Sequence, residues 1–234
     1  MELPDPIIED HEGFLVVRDD MIAGGTKRRI LGGLLKNTEA REFVYPSTAY
    51  GYGPLAVAHV AADLGRKARL YYAHRNPENW TGLMCDAAAL GAEIVPVPMG
   101  YMSVVESRAR TYCAQNPDAM LLPLGFDTDD FRAQLTGLAK SLKIKPKEVW
   151  CAAGTGALTR SLQAAWPDAT HHAVVVASKA ADTGYAERHL VDVSFNRAAR
   201  HLPPFPSASN YDAKAWNIMK HHARPGALFW NVGA

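Results

Sequence analysis

Val17-Arg18-Asp19-Asp20, followed closely by Gly24-Gly25-Thr26-Lys27-Arg28-Arg29-Ile30-Leu31, joins a strand-like run to a short helix. Phe14 to Val17 has strand composition, and Lys27 to Leu35 reads as a helix opened by Gly24-Gly25. Two glycines permit a tight turn and let a ligand approach the backbone. A lysine just after them, at a helix start, lies near the positive end of the helix dipole, which disfavours its ammonium form. A lysine in such a setting can form an imine with a carbonyl compound. Taken alone, the hexapeptide is more often a solvated basic cluster on a helix surface.

Two further stretches have the same strand–turn–helix character. Ala153-Gly154-Thr155-Gly156-Ala157-Leu158-Thr159 leaves one apolar run and enters a helix. Backbone N–H groups at such a turn form an anion cradle, and the two threonines add hydroxyl donors. It lacks the Lys-Ser/Thr ending of a Walker loop and the third glycine of a dinucleotide fingerprint, so an ordinary turn is an equal alternative. Ser47-Thr48-Ala49-Tyr50-Gly51-Tyr52-Gly53 supplies hydroxyls, aromatics and glycines between another strand and an Ala-rich helix. By itself it too is an ordinary Gly-rich turn.

Outward from these, strands and helices alternate along the chain. Strand runs are expected at Glu42 to Tyr45, Arg69 to Tyr72, Glu93 to Val97, Met120 to Leu124, Val149 to Ala152, Ala173 to Ala177 and Ala227 to Asn231. Helices are expected at Pro54 to Leu64, Trp80 to Leu90, Thr128 to Leu142, Gly156 through Ala165 and Tyr211 to His222. Gly65 and Gly91 stand where two of them should stop. Such alternation argues for parallel βαβ units. Asn196 to Asn210, with three prolines, reads as a loop.

The composition narrows the class. The 234 residues are 48% hydrophobic and 21% charged, values of a globular chain rather than a disordered one. With 25 basic and 24 acidic residues the net charge is +1, so bulk charge does not mark a nucleic-acid binder. Three widely spaced cysteines give neither a disulfide framework nor a zinc pattern, and a reducing cytoplasm is expected. The acidic start does not read as a signal peptide, and no apolar run approaches the length of a membrane span. His171-His172 and His221-His222 are adjacent pairs whose members point to different sides, so no metal site is expected.

In order, the three stretches resemble the fold-type II pyridoxal-phosphate enzymes, nearest to the aminocyclopropane-carboxylate deaminase and D-cysteine desulfhydrase branch. The segment from Val17 to Leu31 is similar to that branch's Lys-Arg-Asp-Asp … Gly-Gly-Asn-Lys-x-Arg-Lys-Leu signature. Gly51 to Gly65, Gly91-Ala92-Glu93, Gly154 to Leu158, Tyr211-Asp212-Ala213-Lys214-Ala215 and Ala227 to Ala234 follow collinearly. The resemblance implies an α/β, two-lobed fold like that of tryptophan synthase β, with parallel-rich sheets flanked by helices. It places residues 47-116 in a smaller lobe, 1-46 and 117-234 in a larger one, and the cofactor between them. It also implies a homodimer.

The implied cofactor is pyridoxal 5'-phosphate, held as an imine by Lys27. The phosphate falls to Gly154, Thr155, Gly156, Ala157 and Leu158. Thr26, Gly51, Tyr52, Gly53 and Asn231 are further cofactor contacts, and Tyr52 and Tyr211 join Lys27 as candidates for moving protons. Thr26 replaces the branch's asparagine, Tyr52 stands near its loop asparagine, and Val232 takes the place of a threonine that meets the ring nitrogen. Asn231 is the candidate substitute there. The chain is also shorter than such relatives, mainly between Val176 and Tyr211.

The implied activity is that of a lyase or deaminase acting on a small amino acid. A second possibility is a decarboxylase or similar enzyme for an amino acid attached to a modified pyrimidine in DNA, as in phage. A trimmed cover would admit that substrate, and Arg28, Arg29, Arg197, Arg200, Arg224 and His201 would meet its phosphates. A solvated surface is the plainer account of these residues. A third possibility is a non-catalytic binding module, which an intact Lys27 argues against. Asp19 and Asp20 are expected to position the segment before Lys27, and Cys151 to pack rather than react.

Overall fold

A computed structural model describes residues 3–98 and 100–234. The chain runs β1 (Ile8–His11), β2 (Phe14–Arg18), α1 (Gly25–Leu35), β3 (Glu42–Ser47), α2 (Gly53–Asp63), β4 (Lys67–Ala73), α3 (Gly82–Ala89) and β5 (Glu93–Val97). It continues with α4 (Met102–Gln115), β6 (Ala119–Leu121), α5 (Asp129–Ser141), β7 (Glu148–Ala153), α6 (Ala157–Ala165), β8 (Thr170–Val175), β9 (Glu187–Leu190), α7 (Asp212–His222) and β10 (Leu228–Asn231). Two compact units result, one of residues 27–126 and one of residues 3–26 with 127–234.

The first unit is built on a four-stranded sheet, ordered β5-β4-β3-β6 and parallel throughout. Its central strand β3 is buried along its whole length, as a strand covered on both faces must be. Pro54 at the start of α2 suits a helix's first turn, and the alanines behind it let that helix press onto the sheet. On α4, Val105 and Ala109 pack against Val44, Tyr71 and Val97. Because β3 belongs to this sheet, the expected boundaries at 46/47 and 116/117 fall inside the unit, which starts at Lys27 and ends at Phe126.

The second unit holds a six-stranded sheet in the order β1-β2-β10-β7-β8-β9. Only β1 is antiparallel. It is joined to β2 by Glu12 and Gly13, both at positive φ (56° and 82°), the signature of a two-residue hairpin turn. Trp216 of α7 anchors the core, set edge-on to Phe14, Phe205 and Phe229 with ring centroids 4.9–5.6 Å away. Thr128 caps α5 by accepting from the Phe131 N–H at 3.2 Å, and Asp129 and Asp130 complement the positive end of the helix.

Several expectations are corrected in detail. The Met120 to Leu124 run ends as a strand at Leu121, since Pro123 follows and Gly125 turns the chain at φ 73°. The Trp80 to Leu90 helix begins only at Gly82, capped by Thr81. The elements β1, α4 and β9 were not anticipated. Among the described residues no helix is long and apolar enough to cross a membrane.

Candidate functional site

In the six-stranded unit, β2, β10, β7 and β8 run parallel and end together, at Arg18, Asn231, Ala153 and Val175. Open α/β sheets bind ligands beyond this carboxyl edge. Residues following β2, β7 and β10 include most of those singled out from the sequence.

Asp19 leaves β2 fully buried, and its carboxylate accepts the Thr26 hydroxyl at 2.6 Å. That hydroxyl also accepts from the Trp230 indole N–H at 3.0 Å, while the Thr26 N–H bonds the Val232 carbonyl at 3.0 Å. Gly25, at φ 60°, lies so close to that carbonyl that a Cβ would overlap it. The first turn of α1 is thus pinned to the end of β10, one peptide bond before Lys27. Thr26, expected as a cofactor contact, has its hydroxyl turned inward, which makes it a positioning residue. Asp19 fills the positioning role expected of it.

Between β7 and α6 the chain turns through Gly154, Thr155 and Gly156. Gly156 adopts φ 97°, and a Cβ there would collide with the Asp182 carbonyl. The Asp182 N–H returns a bond to the Thr155 carbonyl at 3.0 Å, locking the turn. The first turn of α6 then presents N–H groups that no intrahelical carbonyl takes, the one on Ala157 resting on the Thr155 hydroxyl at 3.5 Å, and such a helix start can receive an anion. Tyr211 stands at its side: a Cβ on Gly154 would lie 3.2 Å from the Tyr211 oxygen. The Tyr211 hydroxyl donates to the Ala152 carbonyl at 3.4 Å.

Asn231 does not fit the role expected of it. Its amide nitrogen donates to Asp20 at 2.7 Å and to the Pro206 carbonyl at 2.8 Å, and its oxygen accepts from Ser207 at 2.9 Å. Both N–H bonds are used, so it ties the 196–210 segment to β2 rather than meeting a ring nitrogen. Asp20 is itself gripped by Arg18 at 2.8–2.9 Å. Nearby, Asp212 accepts the Val232 N–H at 3.2 Å. Lys214, buried in α7, donates to the Ser194 and Phe195 carbonyls at 3.0 and 3.4 Å. Burial depresses its pKa. None of these ties was anticipated, because most of them join residues far apart in the chain.

The four-stranded unit carries Lys27, third residue of α1, together with Gly51, Tyr52 and Gly53. Tyr52 caps α2 and is buried. The glycines flanking it are needed: a Cβ on Gly51 would lie 2.6 Å from the Ser47 hydroxyl, and one on Gly53 2.7 Å from that of Tyr45. Arg28 makes a two-pronged ion pair with Asp63 at 2.9–3.0 Å, so this guanidinium binds a carboxylate of its own unit.

Cys151 is buried beside the Thr159 hydroxyl, 3.2 Å away, and burial pushes its thiol up to about 12. It packs, as expected. One grouping escaped the sequence: His172, Glu187 and His189 converge on β8 and β9, where no metal site was expected. Without β9 in view, nothing brought His189 across to His172.

No family model matches the sequence, and no curated protein matches it either. Solved structures do match. An ACC deaminase homologue superposes with TM-score 0.79 at 14% identity, over 99% of this chain and 90% of its own. A hydrogen sulfide-producing enzyme from Fusobacterium nucleatum gives 0.68 at 11% identity, covering 100% and 96%. Threonine deaminase isoform 2 from Solanum lycopersicum gives 0.67 at 14% identity, covering 94% of this chain and 74% of its own. The parallel-rich sheets flanked by helices, matched over almost the whole chain, are the α/β fold of the fold-type II pyridoxal-phosphate enzymes.

Proposed function

We propose that the chain is a pyridoxal-phosphate-dependent lyase of the deaminase type, acting on the amino group of a small α-amino acid. One observation carries this. At the carboxyl edge of the six-stranded sheet, the cradle Gly154–Leu158 lies beyond β7, and the buried Asp19–Thr26–Trp230 lock beyond β2 and β10 fixes the turn leading into Lys27. Structures with the same fold include deaminases and hydrogen sulfide-producing enzymes.

When bound, pyridoxal phosphate supplies an electron sink for a bond broken beside the substrate's amino group. The chain's residues do the rest. The Lys27 amine would hold the cofactor covalently and, once free of it, would move protons at the substrate. The N–H groups of Gly154–Leu158 would hold its phosphate. Tyr211, against Gly154, and Tyr52, at the head of α2, are the hydroxyls offered for proton transfer or ring contact. Since Asn231 is committed elsewhere, it does not set the protonation of the ring nitrogen.

The test is turnover. The purified protein with added cofactor is screened against small D- and L-amino acids for release of ammonia and a 2-oxo acid. Activity on one or a few, abolished in Lys27→Ala, is expected. A cofactor-loaded protein that releases neither product from any of them would overturn the deaminase assignment.

A further inference from the structure

The amino-terminal half of the six-stranded sheet carries a second cluster, unrelated to the carboxyl edge. In the parallel pair β8–β9, His172 stands opposite Glu187, and His189 lies two residues further along the same face of β9. The His172 Nδ1 is 3.1 Å from the His189 Nε2 and 3.4 Å from a Glu187 carboxylate oxygen. The His189 Nε2 is 3.9 Å from the other Glu187 oxygen. A tetrahedral zinc ion with ligands at about 2.0–2.1 Å sets neighbouring ligand atoms about 3.3 Å apart. The two nitrogens and one Glu187 carboxylate oxygen lie within 4.8 Å of one another, so a small turn of the exposed Glu187 side chain brings them to that spacing.

The surroundings fit as well. The Trp150 ring stacks on His172 at 4.1 Å and 7°, holding the imidazole's orientation. On its far side, the His172 Nε2 faces the Glu148 carboxylate at 3.8 Å, an anion that favours a cation on this imidazole. Glu148 is in turn fixed by the Trp150 indole N–H at 2.6 Å. The two histidine side chains are only 11% and 14% exposed, whereas that of Glu187 is 64% exposed, which leaves a solvent side for a water ligand. His222, at the end of α7, brings its ring to 5.5 Å from His189.

We propose that His172, Glu187 and His189 form a binding site for a divalent transition-metal cation of zinc type, with water completing the coordination. Two imidazoles and one carboxylate suit such an ion better than magnesium or calcium, which prefer oxygen ligands throughout. Its place toward the amino ends of the strands makes it a clip for the edge strand β9.

The test is titration of the chelator-treated, cofactor-free full chain with Zn2+ by calorimetry, and with Co2+ by visible absorption. One ion is expected to bind per chain, with the intense bands of a four-coordinate cobalt site. Glu187→Gln, at an exposed position, and His189→Ala are each expected to weaken binding by about 100-fold or more, since even a lost outer-shell partner costs about 10–100-fold. His201→Ala should leave binding unchanged. Zinc binding that does not saturate below about 1 mM, or that survives both variants, would overturn the proposal. In the first case the two imidazoles are simply hydrogen-bonded to each other.

Discussion

Thr26→Val removes one hydroxyl and almost no volume, so it isolates the lock before Lys27. Two buried partners lose that hydroxyl: the Asp19 carboxylate, bonded at 2.6 Å, and the Trp230 indole N–H, bonded at 3.0 Å. A charge-assisted bond of this kind contributes roughly 1.5–3 kcal/mol, and a buried donor left without its acceptor costs roughly 1–3 kcal/mol. Since valine leaves no cavity, the expected loss is about 3 kcal/mol. For a chain of this size that lowers the melting temperature by about 6–12 °C. Thr26→Ser keeps the hydroxyl and loses a methyl, for about 1 kcal/mol. Thermal and urea unfolding, followed by tryptophan fluorescence, measure both variants, and cofactor titration should show Val weaker than Ser. If Val lies within about 0.5 kcal/mol of the native protein, or Ser costs as much as Val, the lock does not work as described.

Other expectations follow from the same geometry. Gly156→Ala should cost more than about 3 kcal/mol or abolish cofactor binding, because a positive φ and the Asp182 carbonyl both oppose a Cβ; denaturation and cofactor titration report this. Gly137→Ala, within α5 and with open space around it, should instead stabilise by about 0.5–1 kcal/mol in urea unfolding. Among the cysteines, Cys85 is exposed and should react promptly with a thiol reagent at pH 8. Cys151, its thiol pushed up to about 12 by burial, stays protonated there and should react only as the protein unfolds. Arg28→Ala should lower stability by about 1.5–3 kcal/mol and leave cofactor affinity nearly unchanged, since its two-pronged ion pair with Asp63 is partly buried within its own unit.

Much of the fold was legible because its signals are local. The β7–turn–α6 segment announced itself through an apolar run, two glycines and a helix behind them, and it lies within a residue of where it was expected. The helix start around Lys27 was legible for the same reason, opened by a glycine turn. Long-range pairing was not. The edge strands β1 and β9, Ile-Glu-Asp-His and Glu-Arg-His-Leu, are polar and weakly strand-like, and pairing with a neighbour makes them strands. With β9 unseen, the histidine–glutamate cluster stayed hidden. Asn231 was placed correctly at the end of β10, but its duties depend on Asp20, Pro206 and Ser207, whose approach no spacing in the sequence reveals. The same holds for Thr26: the resemblance implied a cofactor contact in place of an asparagine, whereas its hydroxyl turns to Trp230, more than two hundred residues away.

The central claim, that Lys27 carries pyridoxal phosphate, is tested most directly by the absorbance spectrum of the purified protein with and without the cofactor, followed by borohydride reduction and peptide mapping. A visible band that reduction bleaches, with the pyridoxyl group recovered on the peptide containing Lys27 and absent from Lys27→Ala, is the predicted result. No band at saturating cofactor, or a label on any other lysine, would contradict it.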